Sequence, residues 1–298
     1  MSKDELDVFL IEKKFDAVNV TIPYKQTVLP YCDELDESVR KIGAANTLVN
    51  RNGRLIAYNT DYYGFIYSLK QSQIDLKDKV VMILGTGGTS KTIQAVCQSL
   101  KAKQVMVVSR NAHNQNISYE QALSQIHTQI IINATPSGMY PNNQDSPIDL
   151  KVFTHCEALV DVIYNPLKTN LLLQAEALNI KASNGLLMLV AQAKFAADKF
   201  LGRDLDDNLI LPIYKNLLKE YTNIVLIGMP SSGKSTLGLA LSQYFDKTFV
   251  DIDEDIEQSA QRSIPELFLE FGEPYFRQLE NEAILNRAKQ NNLVIATG

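Results

Sequence analysis

Tryptophan is absent from this sequence, and cysteine and histidine occur only three times each. Cys32, Cys97 and Cys156 are an odd number at wide spacing, with no CxxC pair to build a zinc site or a redox motif. They are expected to be reduced packing residues. His113, His127 and His155 form neither HxxxH nor HExxH, so no histidine metal site is expected. An excess of positive charge is also missing. The formal net charge of -5 argues against nucleic acid as a partner, because affinity for a phosphate backbone needs clustered Lys and Arg. No apolar run approaches the ~20 residues that cross a bilayer. The start, Met1-Ser2-Lys3-Asp4-Glu5, is charged rather than basic and then apolar. No membrane partner and a cytoplasmic location are therefore expected.

What is present suits a globular α/β protein. With 45% hydrophobic and 21% charged positions, 298 residues can bury at least one sizeable core, and the length suggests two domains or slightly more. Two apolar β-type runs end in glycines and lead into helix-compatible segments, at Val80 to Gly88 and at Ile224 to Gly233. Between them, Val105 to Val108, Ile130 to Ile132 and Ala158 to Val162 read as buried strands at crossover-helix spacing, the pattern of a parallel sheet. Ahead of the first loop, Ala17 to Ile22 and Thr47 to Val49 read as strands, and Asn52-Gly53 is a hairpin turn signal. A helix is expected over Leu186 to Phe200, then a polar loop over Gly202 to Asn208, then a helix ending near Tyr221 and a boundary close to Thr222.

Gly85-Thr86-Gly87-Gly88-Thr89-Ser90 fits GxGxx followed by a small residue, between a strand and the expected helix Thr92 to Leu100. The first glycine permits the tight turn, the second lets the backbone approach a pyrophosphate, and the small third position allows close helix packing. Dinucleotide binding is the reading, against a plain strand-to-helix turn. After the second strand, NAD sites commonly place an acid for the ribose 2'-hydroxyl. Ser109-Arg110-Asn111 stands there instead, and Arg110 suits a 2'-phosphate, so NADP is favoured unless Arg110 is only a solvated loop residue.

Gly228-Met229-Pro230-Ser231-Ser232-Gly233-Lys234-Ser235 satisfies GxxxxGK[ST], with Thr236 opening a helical pattern that runs to Tyr244. Backbone N–H groups of such a loop cradle phosphates, Lys234 supplies a point charge to the terminal ones, and the Ser235 hydroxyl reaches magnesium. ATP and Mg2+ are the expected ligands. Ser263 and Glu266 form a capping box that opens a helix before Gly272, and Arg277 with Glu280 reads as an i,i+3 helix pair.

Asn19-Val20-Thr21-Ile22-Pro23-Tyr24-Lys25, Ile42-Gly43-Ala44-Ala45-Asn46-Thr47 and Asn59-Thr60-Asp61-Tyr62-Tyr63-Gly64 resemble three successive signatures of shikimate dehydrogenases. Further matches follow in order at Asn133 to Met139, Asp161 to Thr169 and Gly185 to Gln192. Asp251-Ile252-Asp253 and Phe276-Arg277 with Glu280 resemble shikimate kinase signatures.

The resemblance implies a small α/β substrate domain over 1–72, completed by helices from 186–221. A Rossmann-type NADP domain over 73–185 and a partial P-loop kinase domain over 222–298 would complete the chain. It implies Lys25 and Asp61 as the catalytic pair and Thr21, Asn46, Asp61, Tyr164 and Gln192 on the substrate. Gly85 to Ser90, Ser109, Arg110, Thr135, Gly185 and Met188 would lie on NADP(H). In the kinase unit, Gly233 to Thr236 would hold ATP, Ser235 and Asp251 the magnesium, and Asp253 and Arg277 the shikimate. Without the resemblance, Lys25 reads as a surface charge and Asp61 as an Asx-type turn residue.

The implied chemistry is NADPH-dependent reduction of 3-dehydroshikimate to shikimate, followed by phosphorylation of shikimate, in aromatic amino-acid and chorismate biosynthesis. A ketone that receives a hydride develops negative charge on oxygen, and a positioned ammonium both stabilises that charge and delivers the proton. Dehydrogenases of the family begin with a strand, a serine-bearing turn for the substrate carboxylate and a helix. The kinases continue into a glycine run, a lid and further arginines. This chain is expected to be truncated at both ends, with its substrate site incomplete and little kinase activity. The rival readings are a quinate/shikimate dehydrogenase of relaxed specificity, which Arg110 disfavours, and a noncatalytic nucleotide-binding remnant.

Overall fold

The computed structural model describes residues 2–111, 116–229 and 231–298, and it divides into two units, Met1–Tyr214 and Lys215–Gly298. His113 and Pro230 lie outside the described residues.

In the first unit, α1 (Lys3–Glu12) opens on a capping box, with Glu5 N donating to Ser2 Oγ and Ser2 N to Glu5 Oε2. The strands β1 (Ala17–Asn19), β2 (Glu34–Leu35), β3 (Thr47–Arg51) and β4 (Arg54–Tyr58) form a four-stranded sheet in the order β1-β3-β4-β2, with α2 (Glu37–Ile42) between β2 and β3. Asn52 and Gly53 both take positive φ, 53° and 84°, as a two-residue hairpin between β3 and β4 requires. Leu6, Leu10, Val28, Val39, Leu48 and Leu55 fill the core of this layer. The expected strand from Ala17 to Ile22 stops at Asn19. Val20 N still donates to Asn46 O at 2.8 Å, but the chain then turns, with Tyr24 N donating to Thr21 O at 2.9 Å. The turn is what brings Lys25 round to face the rest of the site.

The helix α3 (Thr60–Gln71) leads into the dinucleotide-type layer, made of β5 (Val80–Leu84), α4 (Gly88–Ser99), β6 (Gln104–Val108), α5 (Tyr119–Leu123), β7 (Ile130–Asn133), β8 (Ala158–Asp161), α6 (Asn170–Ala177) and β9 (Lys181–Ser183). Its five strands are all parallel, in the order β6-β5-β7-β8-β9. Alternate residues serve opposite faces. Val81, Ile83, Ile130 and Ile132 pack with Phe65, Ile93 and Val96, whereas Met82, Leu84 and Ile131 pack with Ala122, Leu171 and Leu172. The near-continuous apolar strands follow from burial on both faces.

The helix α4 begins at Gly88, earlier than the expected Thr92, with Gly87 as its N-cap. Gly-Gly-Thr-Ser has poor intrinsic helix propensity, so the sequence hid a first turn that tertiary packing supplies. Next come α7 (Leu186–Leu201) and α8 (Ile210–Tyr221). The helices α3 and α7 cross closely at Gly64, where an added Cβ would stand 2.8 Å from Met188 O and 2.9 Å from Gln192 N.

The second unit has β10 (Ile224–Leu226), α9 (Lys234–Phe245), β11 (Thr248–Asp251), α10 (Ile252–Ala260), α11 (Ile264–Arg287) and β12 (Leu293–Ala296). Its strands are parallel in the order β10-β12-β11. Val250, Ile256, Leu267, Phe276 and Ile295 form its core. The expected capping arrangement opens α11, with Glu266 Oε2 accepting from Ser263 N at 2.8 Å. Gly272, at φ 78°, interrupts that helix just before Pro274. Among the described residues, no helix is long and apolar enough to cross a membrane.

Candidate active site

Asp61 is not a turn residue. Asn59 caps α3, its Oδ1 accepting from Tyr62 N at 3.2 Å, and Asp61 stands in the first helical turn, where the positive end of the helix favours a carboxylate. The turn that follows β1 delivers Lys25, whose backbone oxygen accepts from Ala45 N at 2.7 Å. Lys25 Nζ donates to Asp61 Oδ2 at 2.6 Å. Asn46 Nδ2 donates to Asp61 Oδ1 at 3.0 Å, to Thr60 Oγ1 at 3.0 Å and to Gln192 Oε1 at 3.3 Å, so α3 and α7 meet on one amide just ahead of β3.

A cavity of about 390 Å³ opens over this cluster, lined among others by Thr21, Lys25, Asn46, Asp61, Tyr164 and Gln192. Thr89, Gly185 and Met188 line the same cavity, so groups assigned separately to substrate and to cofactor border one space. Thr60, fully buried, holds this network together and was not singled out from the sequence. Its N–H donates to Asn46 Oδ1 at 2.7 Å. The available signal was its place beside the Asn59 cap.

The dinucleotide loop lies at the carboxyl ends of β5 and β7. Gly85 takes φ +101°, and a Cβ there would meet Thr135 Cγ2 at 2.9 Å; one on Gly87 would meet nothing within 4 Å. The open approach to Gly87 and the amide end of α4 that it caps fit a pyrophosphate. Thr86 is exposed, and Gly88 packs under the Lys25 stem, where a Cβ would lie 3.6 Å from Lys25 Cδ. Ser90 is fully buried and its hydroxyl accepts from Gln94, so it serves as the small packing position. Ser109 and exposed Arg110 follow β6, on the side where an adenosine ribose would lie. Gly185 is pressed so tightly on the end of β8 that a Cβ would fall 1.9 Å from Val162 O.

Solved and curated proteins are similar to this chain in sequence and fold. Residues 3–48 match the family model described as shikimate dehydrogenase substrate binding domain. The chain is 36% identical over 217 residues to the NADP(+) shikimate dehydrogenase of Clostridium beijerinckii, spanning 70% of this chain and 80% of that one. The corresponding enzyme of Caldicellulosiruptor bescii is 40% identical over 203 residues, 62% of this chain and 70% of that one.

The chain belongs to the shikimate dehydrogenase family.

Among solved structures, a chorismate mutase/shikimate 5-dehydrogenase fusion protein from Clostridium acetobutylicum superposes with a TM-score of 0.69 at 36% identity, covering 74% of this chain and 83% of that one. Shikimate 5-dehydrogenase from Thermus thermophilus, solved in complex with NADP(H) and shikimate, gives 0.65 at 28% identity, covering 72% and 85%.

Outside the dehydrogenase region, residues 230–298 match the family model for shikimate kinase. There, Gly233 takes φ +85° and caps α9, and Lys234 Nζ donates to Gly228 O and Met229 O at 2.9 and 3.0 Å. Ser235 Oγ donates to Asp251 Oδ2 at 2.7 Å. A cavity of about 570 Å³ is lined by Gly233, Lys234, Ser235, Thr236, Asp251, Asp253 and Arg277, among others. Asp253 Oδ1 is buried without a hydrogen-bond partner, and desolvation, with Asp251 and Glu280 nearby, pushes its carboxyl up. Arg277 pairs with Glu280 at 2.8 Å, as the helix spacing predicts, while lining the cavity. An all-oxygen pair of Ser235 and Asp251 beside a phosphate loop suits magnesium, which keeps waters and phosphates as its other ligands.

The cysteines stand apart from both cavities. Burial pushes Cys97 up to about 12 and Cys32 and Cys156 up to about 11, which keeps the thiols protonated and unreactive.

Proposed function

We propose that this chain catalyses NADP-linked interconversion of 3-dehydroshikimate and shikimate, running as NADPH-dependent reduction in cytoplasmic aromatic amino-acid and chorismate biosynthesis. The observation that carries the reading is the Lys25–Asp61 pair at 2.6 Å, set in a cavity that the dinucleotide layer also borders. Residues 1–72 with helices from 186–221 would bind substrate, and 73–185 the cofactor. Bound NADPH supplies the hydride to the carbonyl carbon. Lys25 gives its Nζ proton to the carbonyl oxygen, and its ammonium stabilises the charge that grows there. Asp61 orients Lys25 and accepts a substrate hydroxyl, while Thr21, Asn46, Tyr164 and Gln192 complete the ring contacts. Gly85 to Ser90, Ser109, Arg110, Thr135, Gly185 and Met188 line the cofactor's path. Arg110 supports NADP over NAD and, with it, a shikimate enzyme over a relaxed quinate one.

The kinase-like domain, expected from 222, binds ATP and Mg2+ on this reading and belongs to the next step, phosphorylation of shikimate. Gly233, Lys234, Ser235 and Thr236 would hold the phosphates, Ser235 and Asp251 the magnesium, and Asp253 and Arg277 the shikimate. The deciding assay is NADP reduction by shikimate at alkaline pH, run beside Lys25→Ala. Turnover that the substitution abolishes supports the dehydrogenase; NADP binding without turnover in the unsubstituted chain would leave only a nucleotide-binding remnant.

A further inference from the structure

Behind the cofactor cleft lies a buried polar chain that lines neither cavity. Asp161, at the end of β8, is fully buried. Its Oδ1 accepts from Asn133 Nδ2 at 3.0 Å and Ile163 N at 3.1 Å, and its Oδ2 accepts from Thr169 Oγ1 at 2.7 Å. Asn133, also fully buried and in register with Asp161 on β7, uses its other end on Thr135, accepting from the N–H at 3.1 Å and the hydroxyl at 2.7 Å. Thr135 Oγ1 in turn accepts from Ser137 N at 3.2 Å. The Thr135 methyl stands 2.9 Å from where a Cβ of Gly85 would be, so its placement sets the wall of the dinucleotide loop.

Such a chain is expensive. The carboxylate is taken out of water with only neutral donors on it among the described residues, and burial pushes its pKa up to about 6 against the pull of all three hydrogen bonds. A structural purpose accounts for one end, since Thr169 caps α6 through Leu172 N at 3.3 Å. It does not account for Asn133, whose amide is turned so that its oxygen faces Thr135.

We propose that Asn133 and Asp161 are positioning residues for cofactor binding: Asp161 fixes the Asn133 amide, and Asn133 holds Thr135 against the dinucleotide loop. This rests on the reading of Thr135 as a cofactor contact. Neither residue touches substrate, so losing the relay raises the cofactor KM and leaves the shikimate KM in place.

Asn133→Asp tests it with almost no change of shape. Two carboxylates then stand where an amide met a carboxylate, and they share one proton at low pH but repel when both ionise. The groups facing the pair are Leu84 of β5, the Ile163 N–H, the Thr169 hydroxyl of the α6 cap, and Thr135 with Ser137, none of them charged. The expected result is an NADP KM within about 3-fold of the unsubstituted chain at pH 6.5 and at least about 10-fold above it at pH 9, with the shikimate KM within about 2-fold at both. Adding Thr135→Val should make cofactor binding no worse than Thr135→Val alone.

An NADP KM that stays at the unsubstituted value at both pH values, or cofactor and shikimate KM values that rise together, would overturn the proposal. So would full additivity with Thr135→Val. Should Asn133→Asp not fold, Asp161→Leu, which removes the acceptor, is measured by the same KM comparison. If the unsubstituted chain does not bind NADP, the site reading fails as well. If it binds NADP and Thr135→Val weakens that binding while Asn133→Asp does not, only the relay fails.

Discussion

Lys25 Nζ and Asp61 Oδ2 stand 2.6 Å apart with their side chains 14% and 11% exposed, although 36 positions separate them in sequence. An ion pair this enclosed is held by geometry on both sides, Lys25 by the turn after β1 and Asp61 by the capped start of α3. Lys25→Ala is expected to lower kcat for shikimate oxidation by about 10²- to 10⁴-fold. NADP affinity, read by calorimetry, should stay within about 2-fold, because the role proposed for Lys25 is to supply the proton and not to make the cofactor's main contacts.

Gly64 sets how closely α3 and α7 approach. Gly64→Ala places a methyl against Met188 O and the Gln192 backbone, neither of which is a flexible side-chain end. A loss of about 1–3 kcal/mol is expected by urea denaturation, with a higher shikimate KM as Gln192 moves from Asn46. An unchanged KM would count against the substrate contact proposed for Gln192.

Asp161 makes stability depend on pH. Burial raises its folded pKa to about 6 from an unfolded value near 3.8, so the folded state holds the proton to higher pH than the unfolded chain does. This group's contribution is therefore most favourable below about pH 4, declines as pH rises to about 6 and is constant above. Relative to Asp161→Asn, the unsubstituted chain should lose about 2 kcal/mol between pH 4 and pH 8, measured as the difference of two denaturation series. A flat difference would show that the carboxyl ionises normally.

Lys194 is buried between Asp198, one turn on in α7, at 2.9 Å, and Asp207 at 2.5 Å. Asp198 also accepts from Leu205 N at 2.8 Å, so the pair fastens the segment after α7. Lys194→Met strands a buried carboxylate. It should cost about 3 kcal/mol, the low end for a broken buried pair, since Asp207 is largely exposed and regains water. Lys194→Met with Asp198→Leu should recover part of the loss in thermal denaturation.

In the second unit, Lys234→Ala should weaken MgATP binding by at least about 10-fold in calorimetry while leaving NADP binding unchanged, because Lys234 lines the phosphate-loop cavity and not the cavity over Lys25 and Asp61.

The central strands of the dinucleotide-type layer were legible because their residues are buried on both faces, as at Ile130 to Asn133, whereas the two-residue β2 and the exposed β9 carry no such run and were not. Both phosphate loops were legible because their glycine spacing is set by what a backbone can do, and Gly85 and Gly233 take positive φ as that spacing requires. The early start of α4 and the short β1 were not legible. The first depends on packing that overrides weak helix propensity, the second on a turn whose hydrogen bonds are local to Thr21 and Tyr24.

The sequence by itself determined the α/β class, the two glycine loops and the order of the motifs, since periodicity and turn chemistry are local properties of the chain. Only the tertiary structure decided that Asp61 is helical and faces Lys25, that Thr60 and Asn46 join them to Gln192, and that Asp161 reaches Thr135 through Asn133. Those contacts join residues from separate elements, and a buried polar group reveals its partner only once folding has removed the water that would otherwise satisfy it.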